Sequence, residues 1–364
     1  MTKGSGLMKV LQVCHRYYPY TGGIQEHVRN ISKGLSKKYE VSIVTTDPLG
    51  RLQREEIVDG IRVTIFKSWA PRKTYYLSED LKNYLAKNSN NFDIVHAHNY
   101  HALPALYAAQ AKGRNKLVFT PHYHGTGHSF LDSLLHIPYK PLGKKIFAKA
   151  NKIISVSSYE KNLIAKNFRV DEDKIVIIPN GINLQEFGGL EKRKKNYQSI
   201  LCVGRLEKYK GMEYVIKVLP KLPDNVILEI VGKGSYKERL VSLARKLCID
   251  NRVKFFQDLS RGRLLQKYAD ADVFVSLSTH EAYGISVAEA LASRVPCIVA
   301  NTSALMEWID NKNSFGINYP INLDDFATLI SNVIGKDVEA AKIPDWDEIT
   351  EKLASLYEDL VKIM

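Results

Sequence analysis

The sequence predicts an α/β protein built from two doubly wound domains with parallel sheets. The chain has 364 residues, which is more than one ordinary domain holds. Short apolar, β-branched runs alternate with amphipathic helical patterns, as is typical of βαβ units. This alternation stops at a polar segment, residues 188–197, and then restarts, so we expect a linker there.

The first domain is predicted to cover residues 8–187. Its strands are predicted where apolar residues are concentrated, at residues 9–14, 41–45, 61–66, 94–97, 117–120, 153–156 and 175–178. The loop after the first strand ends in Gly22 and Gly23, which allow a ligand to approach the backbone closely. The helix that follows has an apolar face formed by Ile24, Val28, Ile31 and Leu35.

The second domain is predicted to cover residues 198–343. Its strands are predicted at residues 199–203, 226–231, 253–256, 273–277 and 297–300. The last segment, residues 344–364, has the pattern of an amphipathic helix, and Asp345 is a suitable N-cap. The apolar stripe of this helix consists of Ile349, Leu353, Leu356 and Leu360.

The composition indicates a globular protein with anionic partners. Hydrophobic residues make up 45% of the chain, and no apolar run is as long as a membrane-spanning helix. The formal net charge is +13, which favours phosphates, an anionic membrane surface or nucleic acid. Nucleic acid is the least expected partner, because aromatic residues are not interleaved with the lysines. With no signal peptide and no paired cysteines in the sequence, we expect a cytoplasmic protein.

The strongest candidate site follows the predicted strand at residues 273–277. A loop that contains Glu281 leads to Gly284, and a helical pattern begins at Ile285. Backbone N–H groups at a helix start bind phosphates, and ligands of α/β proteins lie at the carboxyl ends of strands. Glu289, one turn into the helix, is placed to bind the hydroxyls of a ribose. The predicted ligand is a nucleoside diphosphate that carries a further group near Glu281.

Two basic residues and one histidine extend this candidate site. Arg205 and Lys210 follow the strand at residues 199–203, where a guanidinium and an ammonium suit a diphosphate. His122 follows the strand at residues 117–120, where it could hydrogen-bond a sugar hydroxyl or a leaving phosphate. The dinucleotide fingerprint GxGxxG is absent, so we do not expect NAD.

Two histidine pairs, His96 with His98 and His122 with His124, raise the question of a metal site. Alternate residues of a strand point the same way, so each pair could supply two ligands. No carboxylate or cysteine stands at ligand spacing beside them, and we therefore expect histidines that line a cleft or belong to the core. The Asp270-Ala-Asp272 motif precedes its strand, opposite the candidate site, and we expect it to be structural.

Basic residues are concentrated in residues 140–152. Five lysines, at positions 140, 144, 145, 149 and 152, stand beside an apolar face at helical spacing. Such a helix can lie on an anionic membrane, or its apolar face can pack on the protein's own sheet with the lysines in solvent. The sequence leaves both interpretations open.

Taken together, the motifs resemble the retaining GT-B glycosyltransferases, specifically glycosyltransferase family 4. The resemblance runs from Met8 to the final helix. It rests on Thr-Gly22-Gly23, Asp93-Ile-Val-His-Ala-His98, the strand before His122, Pro179-Asn-Gly-Ile-Asn183, Gly204-Arg205-x4-Lys210-Gly211 and Glu281-x7-Glu289-Ala290. The chain departs from the family pattern at Glu281-Ala-Tyr-Gly284, where Glu-Pro-Phe-Gly is common, and at Asn183, where Asp is usual.

The resemblance implies two Rossmann-like domains that face each other across a cleft, with the final helix crossing back to the first domain. It implies that Arg205 and Lys210 hold the diphosphate and that Glu289 holds the ribose. The remaining contacts implied for the donor come from Gly22, Gly23, His122, Glu281, Tyr283, Gly284 and Ile285. Of these residues, His122, Arg205, Lys210 and Glu281 are implied to take part in catalysis, which needs neither a metal nor a cofactor.

The expected activity is therefore transfer of a hexose-type sugar, with retention, from a nucleotide sugar to an acceptor hydroxyl. We expect a UDP-sugar first and a GDP-sugar second, with a lipid-linked or glycan acceptor. Two alternatives remain open: a metal-dependent hydrolase that uses the histidine pairs, and a protein that binds nucleotide sugars without catalysis.

Overall fold

The computed structural model of the protein describes residues 6–20, 22–71, 74–125, 130–339 and 341–362. These residues form two compact units. The first unit contains the residues up to Gly181 together with those from Trp346 onward, and the second unit is Ile182–Asp345. None of the described helices combines the length and the apolar character that crossing a lipid bilayer requires.

The described part of the first unit contains an eight-stranded sheet. Its strands are β1 (Lys9–Val13), β2 (Glu40–Asp47), β3 (Glu55–Val58), β4 (Ile61–Lys67), β5 (Ile94–His98), β6 (Lys116–Thr120), β7 (Lys152–Ser155) and β8 (Ile175–Ile177). The strand order is β3-β4-β2-β1-β5-β6-β7-β8, and every neighbouring pair is parallel except β3 with β4. The chain reverses its direction across the sheet at β1, which places a topological switch point between β1 and β5.

Helices cover both faces of this sheet. They are α1 (Gly23–Leu35), α2 (Glu79–Asn88), α3 (Leu103–Gln110), α4 (Phe130–Lys149) and α5 (Ser158–Phe168). One core contains Leu81 of α2, Leu106 of α3 and Phe147 of α4, while Val28 and Ile31 of α1 belong to a separate core. The strands are apolar runs because both faces of the sheet are buried.

The described part of the second unit contains a six-stranded sheet, parallel throughout. Its strands are β9 (Gln198–Val203), β10 (Val226–Val231), β11 (Val253–Phe256), β12 (Val273–Ser276), β13 (Cys297–Ala300) and β14 (Ser314–Ile317), in the order β11-β10-β9-β12-β13-β14. Its helices are α6 (Met212–Val218), α7 (Lys237–Lys246), α8 (Arg261–Asp270), α9 (Ile285–Ala292) and α10 (Leu323–Val333). A second switch point therefore falls between β9 and β12.

The final helix, α11 (Trp346–Lys362), belongs to the first unit although it follows the second in sequence. Ile349, Leu353 and Leu360 are buried in the same core as α1, as the predicted apolar stripe requires. The hydroxyl of Tyr357 lies 2.6 Å from Nδ1 of His96 in β5. The helix thus completes one face of the first sheet.

The polar segment at residues 188–197, predicted as a linker, lies within the second unit. Lys192 and Lys195 form ion pairs with Asp272, at 2.6 and 3.3 Å, and the backbone N–H of Arg193 donates to Asp270. The lysines that suggested a linker therefore pair with the Asp270-Ala-Asp272 motif. These contacts give that motif the structural role expected for it.

Candidate functional site

The candidate site of the second unit begins at its switch point. β9 and β12 are parallel neighbours, so the loops that follow them leave the same edge of the sheet. The two loops are tied together, because the N–H of Thr279 donates to the carbonyl oxygen of Tyr209 at 2.9 Å. This arrangement brings the basic residues after β9 beside the acidic residue after β12.

Lys210 and Glu281 form an ion pair in these two loops. Both side chains are largely buried, with 16% and 20% of their area exposed. They were predicted to contact neighbouring parts of one ligand, and the structure places them in direct contact. In a pair so little exposed, the charge of Lys210 is available to a phosphate only if its contact with Glu281 is exchanged or shared.

Arg205 lies at the surface of the same loop. It is exposed, and its Nη2 donates to the hydroxyl of Tyr209 at 2.8 Å. Among the described residues, no carboxylate contacts its guanidinium. The fork of donors that suits a phosphate is therefore accessible to solvent.

Glycines allow the loops around Lys210 to pack closely. A Cβ atom at Gly232 would lie 1.8 Å from the carbonyl oxygen of Gly204, and one at Gly234 would lie 2.1 Å from that of Leu206. Gly204 in turn lies beneath the Lys210 side chain, because a Cβ atom built at Gly204 would lie 3.7 Å from Nζ of Lys210. The Gly232-Lys-Gly234 turn therefore supports the loop that carries Lys210.

Helix α9 begins where the sequence placed it. Gly284 precedes it with a φ of 98°, a left-handed conformation that glycine tolerates, and Ile285 is its first residue. The loop before it is fixed by Trp308, whose Nε1 donates to the carbonyl oxygen of Tyr283 at 2.7 Å. The first backbone N–H groups of a helix have no acceptor within the helix, and they can therefore bind an anion such as phosphate.

Glu289, the fifth residue of α9, is buried and paired. Its carboxylate accepts a hydrogen bond from Nη1 of Arg261, at the start of α8. Nε of Arg261 donates to Glu186 at 2.8 Å. Arg261 thus bridges two carboxylates, and a ribose that binds Glu289 must share that carboxylate with Arg261.

The candidate residues of the first unit follow β1 and β6. Gly22 and Gly23 are exposed at the start of α1, directly after the β1 loop. His122 has a φ of 49°, which is unusual for a residue with a side chain. Since β1 and β6 both flank β5, these residues leave the same edge of the first sheet.

Glu160 fixes the backbone beside His122. Its two carboxylate oxygens accept hydrogen bonds from the N–H groups of Tyr123, at 2.5 Å, and Val156, at 2.7 Å. Glu160 is fully buried, and burial raises the pKa of its carboxyl group to about 8. Sequence reasoning missed this residue, because nothing in its local pattern separates it from an exposed helical glutamate.

The histidines group differently from the predicted pairs. Both ring nitrogens of His96 are occupied, by the Tyr357 hydroxyl at 2.6 Å and the Thr120 hydroxyl at 2.7 Å. His98 and His122, one from each pair, instead lie near His27 of α1. The sequence missed His27, because its approach to the other two depends on how α1 packs on the sheet.

The basic segment of α4 has its apolar side on the sheet. Ile146, Ala150 and Ile153 are buried, whereas Leu142 is 37% exposed. Lysines 140, 144, 145 and 149 are exposed. Burial and the nearby charges of Lys149, Lys174 and Lys116 lower the pKa of Lys112, so this part of the surface is strongly basic.

Two family models match the chain. One, described as Glycosyltransferase Family 4, matches residues 21–186, and the other, described as Glycosyl transferases group 1, matches residues 189–344. The two matches together include Gly22 and Gly23, the loops after β9 and β12, and helix α9.

Related proteins and structures agree with these matches. The uncharacterized glycosyltransferase MJ1607 of Methanocaldococcus jannaschii is 27% identical, over 98% of this chain and 100% of that protein. The GDP-mannose:cellobiosyl-diphosphopolyprenol alpha-mannosyltransferase of Komagataeibacter xylinus is 22% identical, over 99% of this chain and 95% of that protein. The crystal structure of Anabaena HepE in complex with UDP and glucose has a TM-score of 0.76 at 18% identity, over 97% of this chain and 100% of that chain. The predicted fold class, two Rossmann-like parallel-sheet domains of the GT-B type, is confirmed.

Proposed function

Because the chain belongs to glycosyltransferase family 4 and the glycosyl transferases group 1, we propose that it is a retaining hexosyltransferase that uses a nucleoside-diphosphate sugar. The observation that carries this proposal is the contact between Lys210 and Glu281 at the switch point of the second sheet. A cation beside a carboxylate, next to the start of α9, suits a diphosphate that is joined to a sugar.

In this proposal the second unit holds the donor. Arg205 and Lys210 bind the diphosphate, and the backbone from Tyr283 to Ile285 contributes N–H groups. Glu289 binds the ribose hydroxyls and remains oriented by Arg261. Glu281 binds a hydroxyl of the donor sugar. The partial burial of Lys210 supports its role, because a charge that is shielded from water stabilises a leaving diphosphate more strongly.

The reaction exchanges one bond at the anomeric carbon. The bond from that carbon to the diphosphate oxygen breaks, and the acceptor oxygen bonds to the same face of the sugar. The acceptor proton passes to an oxygen of the leaving diphosphate. Lys210, Arg205 and the start of α9 stabilise the negative charge that develops there, and we propose that no metal is required for this step. From the family resemblance we further propose that His122 contacts the sugar and that Gly22 and Gly23 contact the phosphate.

We propose a donor nucleotide and two chemical classes of acceptor. We propose UDP as the first choice of donor nucleotide and GDP as the second. HepE was crystallised with UDP, and the Komagataeibacter relative is named for GDP-mannose. The same relative is named for a diphosphopolyprenol acceptor, which supports a lipid-linked acceptor for this protein. A glycan is the other acceptor class we propose.

The lysines of α4 support contact with an anionic membrane surface. Lysines 144, 145 and 149 are exposed on one helix, and Leu142 is partly exposed beside them. Each lysine near such a surface contributes about 1 kcal/mol of attraction. We therefore propose that this protein binds peripherally to the membrane that carries its lipid-linked acceptor.

The donor assignment is tested by thermal shift and by transfer. A nucleotide sugar that binds only the folded protein stabilises it and so raises its melting temperature. At a ligand concentration of a hundred times Kd, the free energy of unfolding increases by about 2.7 kcal/mol. We expect a shift with UDP- or GDP-sugars that is lost in Lys210→Ala and Glu289→Ala, each of which stays folded. Lys254→Ala, at an exposed position of the same unit, serves as the control.

Three outcomes would contradict parts of the proposal. Normal shifts and transfer in both Lys210→Ala and Glu289→Ala would remove their assigned roles. A strong shift without transfer to any lipid-linked or glycan acceptor would favour a nucleotide-sugar-binding protein without catalysis. A product with inverted anomeric configuration, identified by NMR, would overturn retention.

A further inference from the structure

Three histidines of the first unit converge on one point. His27 lies on α1, His98 is the last residue of β5, and His122 follows β6. One ring nitrogen from each lies within 4.8 Å of the others. The ring centroids of His27 are 4.9 Å from His122 and 5.5 Å from His98. The three belong to separate elements, so the fold rather than local sequence brings them together.

Each of the three rings also has one nitrogen with no hydrogen-bond partner in the described part of the chain. These unpartnered atoms are Nε2 of His27, Nδ1 of His98 and Nε2 of His122, and all three are buried. His27 and His98 are themselves 3% and 0% exposed. An unpaired buried polar atom typically costs about 1–3 kcal/mol, and three around one point indicate a missing ligand.

The opposite nitrogens of two of these rings are held by amide oxygens. Nδ1 of His27 lies 2.7 Å from Oδ1 of Asn180, and Nε2 of His98 lies 2.8 Å from Oε1 of Gln12. An amide oxygen only accepts hydrogen bonds, so each of these nitrogens carries the proton. The lone pairs are therefore left on Nε2 of His27 and Nδ1 of His98, which have no partner. Histidines that bind metals are held in this way, by a carbonyl or carboxylate on the far nitrogen.

The rings are uncharged near neutral pH. Burial lowers the pKa of His27 to about 4, and it lowers the pKa of both His98 and His122 well below the usual range. Neutral imidazole is the form that binds a metal. By contrast, His96 has both nitrogens occupied and cannot join the set.

We propose that His27, His98 and His122 bind a divalent first-row transition metal ion, zinc above all, and leave a fourth position open. Imidazole suits zinc, and three histidines with an open position form a known class of zinc site. Tetrahedral Zn–N bonds of about 2.1 Å place the nitrogens about 3.4 Å apart. The widest separation here therefore has to close by at most about 1.4 Å, which small side-chain rotations supply.

One consequence rests on the proposed function. A metal bound to His122 would hold that ring away from the donor sugar, so zinc should inhibit transfer and EDTA should restore it. Binding of the metal does not depend on the transferase proposal, and direct measurement of binding separates the two. Metal bound without inhibition would keep the site and remove the role of His122 in transfer.

The site is tested with cobalt as a spectroscopic substitute for zinc. The full chain, free of any histidine tag and carrying Cys248→Ser to remove its exposed thiol, is stripped with EDTA and titrated with Co²⁺. We expect one equivalent to bind with the intense visible absorption of four-coordinate cobalt, and zinc to displace it. His27→Gln and His98→Gln should each lose this absorption, whereas His280→Gln, in the second unit, should keep it.

A further variant tests the role of the amide that orients His27. Asn180→Ala keeps all three ligands and should weaken metal binding by roughly 10- to 100-fold. Circular dichroism melts without metal establish that each variant is folded. The proposal is overturned if the wild-type chain binds no stoichiometric cobalt or zinc, or if folded His27→Gln and His98→Gln bind as the wild type does.

Discussion

Glu160 shows how one buried carboxylate couples the first unit to pH. Burial raises the pKa of this group to about 8, from an ordinary value near 4.5, despite two backbone hydrogen bonds that act in the opposite direction. The folded protein therefore keeps the proton over a range in which the unfolded chain has lost it. The stability associated with this proton is complete below about pH 4.5 and is lost as the pH rises to about 8.

We predict that Glu160→Gln removes this dependence on pH. The free energy of unfolding of the wild type, measured by urea titration, should fall relative to the variant by about 1.4 kcal/mol per pH unit between about pH 5 and pH 8. In the variant, the glutamine NH₂ group faces one backbone N–H group, which is left without an acceptor. This lowers the free energy of unfolding of the variant by about 1–3 kcal/mol at every pH. Glu238→Gln, at an exposed position of α7, is the control. Parallel pH profiles for the wild type and Glu160→Gln would contradict the prediction.

Some residues of the candidate site could be placed from the sequence, and others could not. The placement of Lys210, Glu281 and Gly284 in loops between a strand and a helix was predictable, because that transition is a local pattern; their role in binding stays a prediction. The contact of Arg261 with Glu289 was not, because it joins α8 to α9 across the packed unit. Glu160 and His27 were missed for the same reason. Their roles come from tertiary neighbours that no local spacing reveals.

At the scale of elements, the loop after β9 depends on its packing against the loop after β10. Gly232 has a φ of 154° and contacts the backbone of Gly204 so closely that a Cβ atom cannot be accommodated. The strand ends of β9 and β10 must therefore separate if any side chain is introduced. That movement would displace Gly204, on which Lys210 rests.

We predict that Gly232→Ala destabilises the protein by about 3 kcal/mol, because the backbone contact cannot relax without moving both loops. Gly262→Ala is the matched control, since nothing lies within 4 Å of a Cβ built there and the position is helical. Replacement of a helical glycine by alanine should be neutral or stabilise by up to about 1 kcal/mol. Urea unfolding curves measure both effects, and equal midpoints for the two variants would refute the packing argument.

The sequence predicted the central strands of both sheets but not two of the edge strands. The buried parallel strands of both sheets were predictable, because burial on both faces requires continuous apolar runs. β3 and β14 were missed. β3 carries Glu55 and Glu56 and lies antiparallel at the edge of its sheet, and β14 is a four-residue edge strand that contains Gly316. Edge strands bury less of their surface, so their sequences carry a weaker pattern.

At the scale of the whole molecule, the excess of positive charge has a measurable consequence. The chain carries 52 basic and 39 acidic residues, and four lysines of α4 are exposed at one surface. If that surface binds an anionic membrane, the affinity for the membrane should depend on the positions of these lysines and not only on the net charge of the protein. Salt should weaken it by screening.

We predict that the protein pellets with vesicles that contain anionic lipid at low salt. Lys144→Gln combined with Lys149→Gln should reduce the binding constant by about tenfold or more, at roughly 1 kcal/mol for each charge. Lys246→Gln combined with Lys312→Gln removes the same charge from exposed positions of the second unit and should have little effect. Failure of the wild type to pellet, or an equal loss in both pairs of variants, would count against this membrane surface.

The return of α11 to the first unit determines the sequence in which the two units can be completed during synthesis. The residues of the second unit are contiguous, so a growing chain can close that unit as soon as Asp345 has left the ribosome. The first unit must wait for α11, which carries the Tyr357 hydroxyl to His96 and covers one face of β1 and β5. Until α11 has been synthesised, the nascent chain therefore exposes the apolar side chains of this face that α11 later covers, and this is the interval in which a chaperone would be needed.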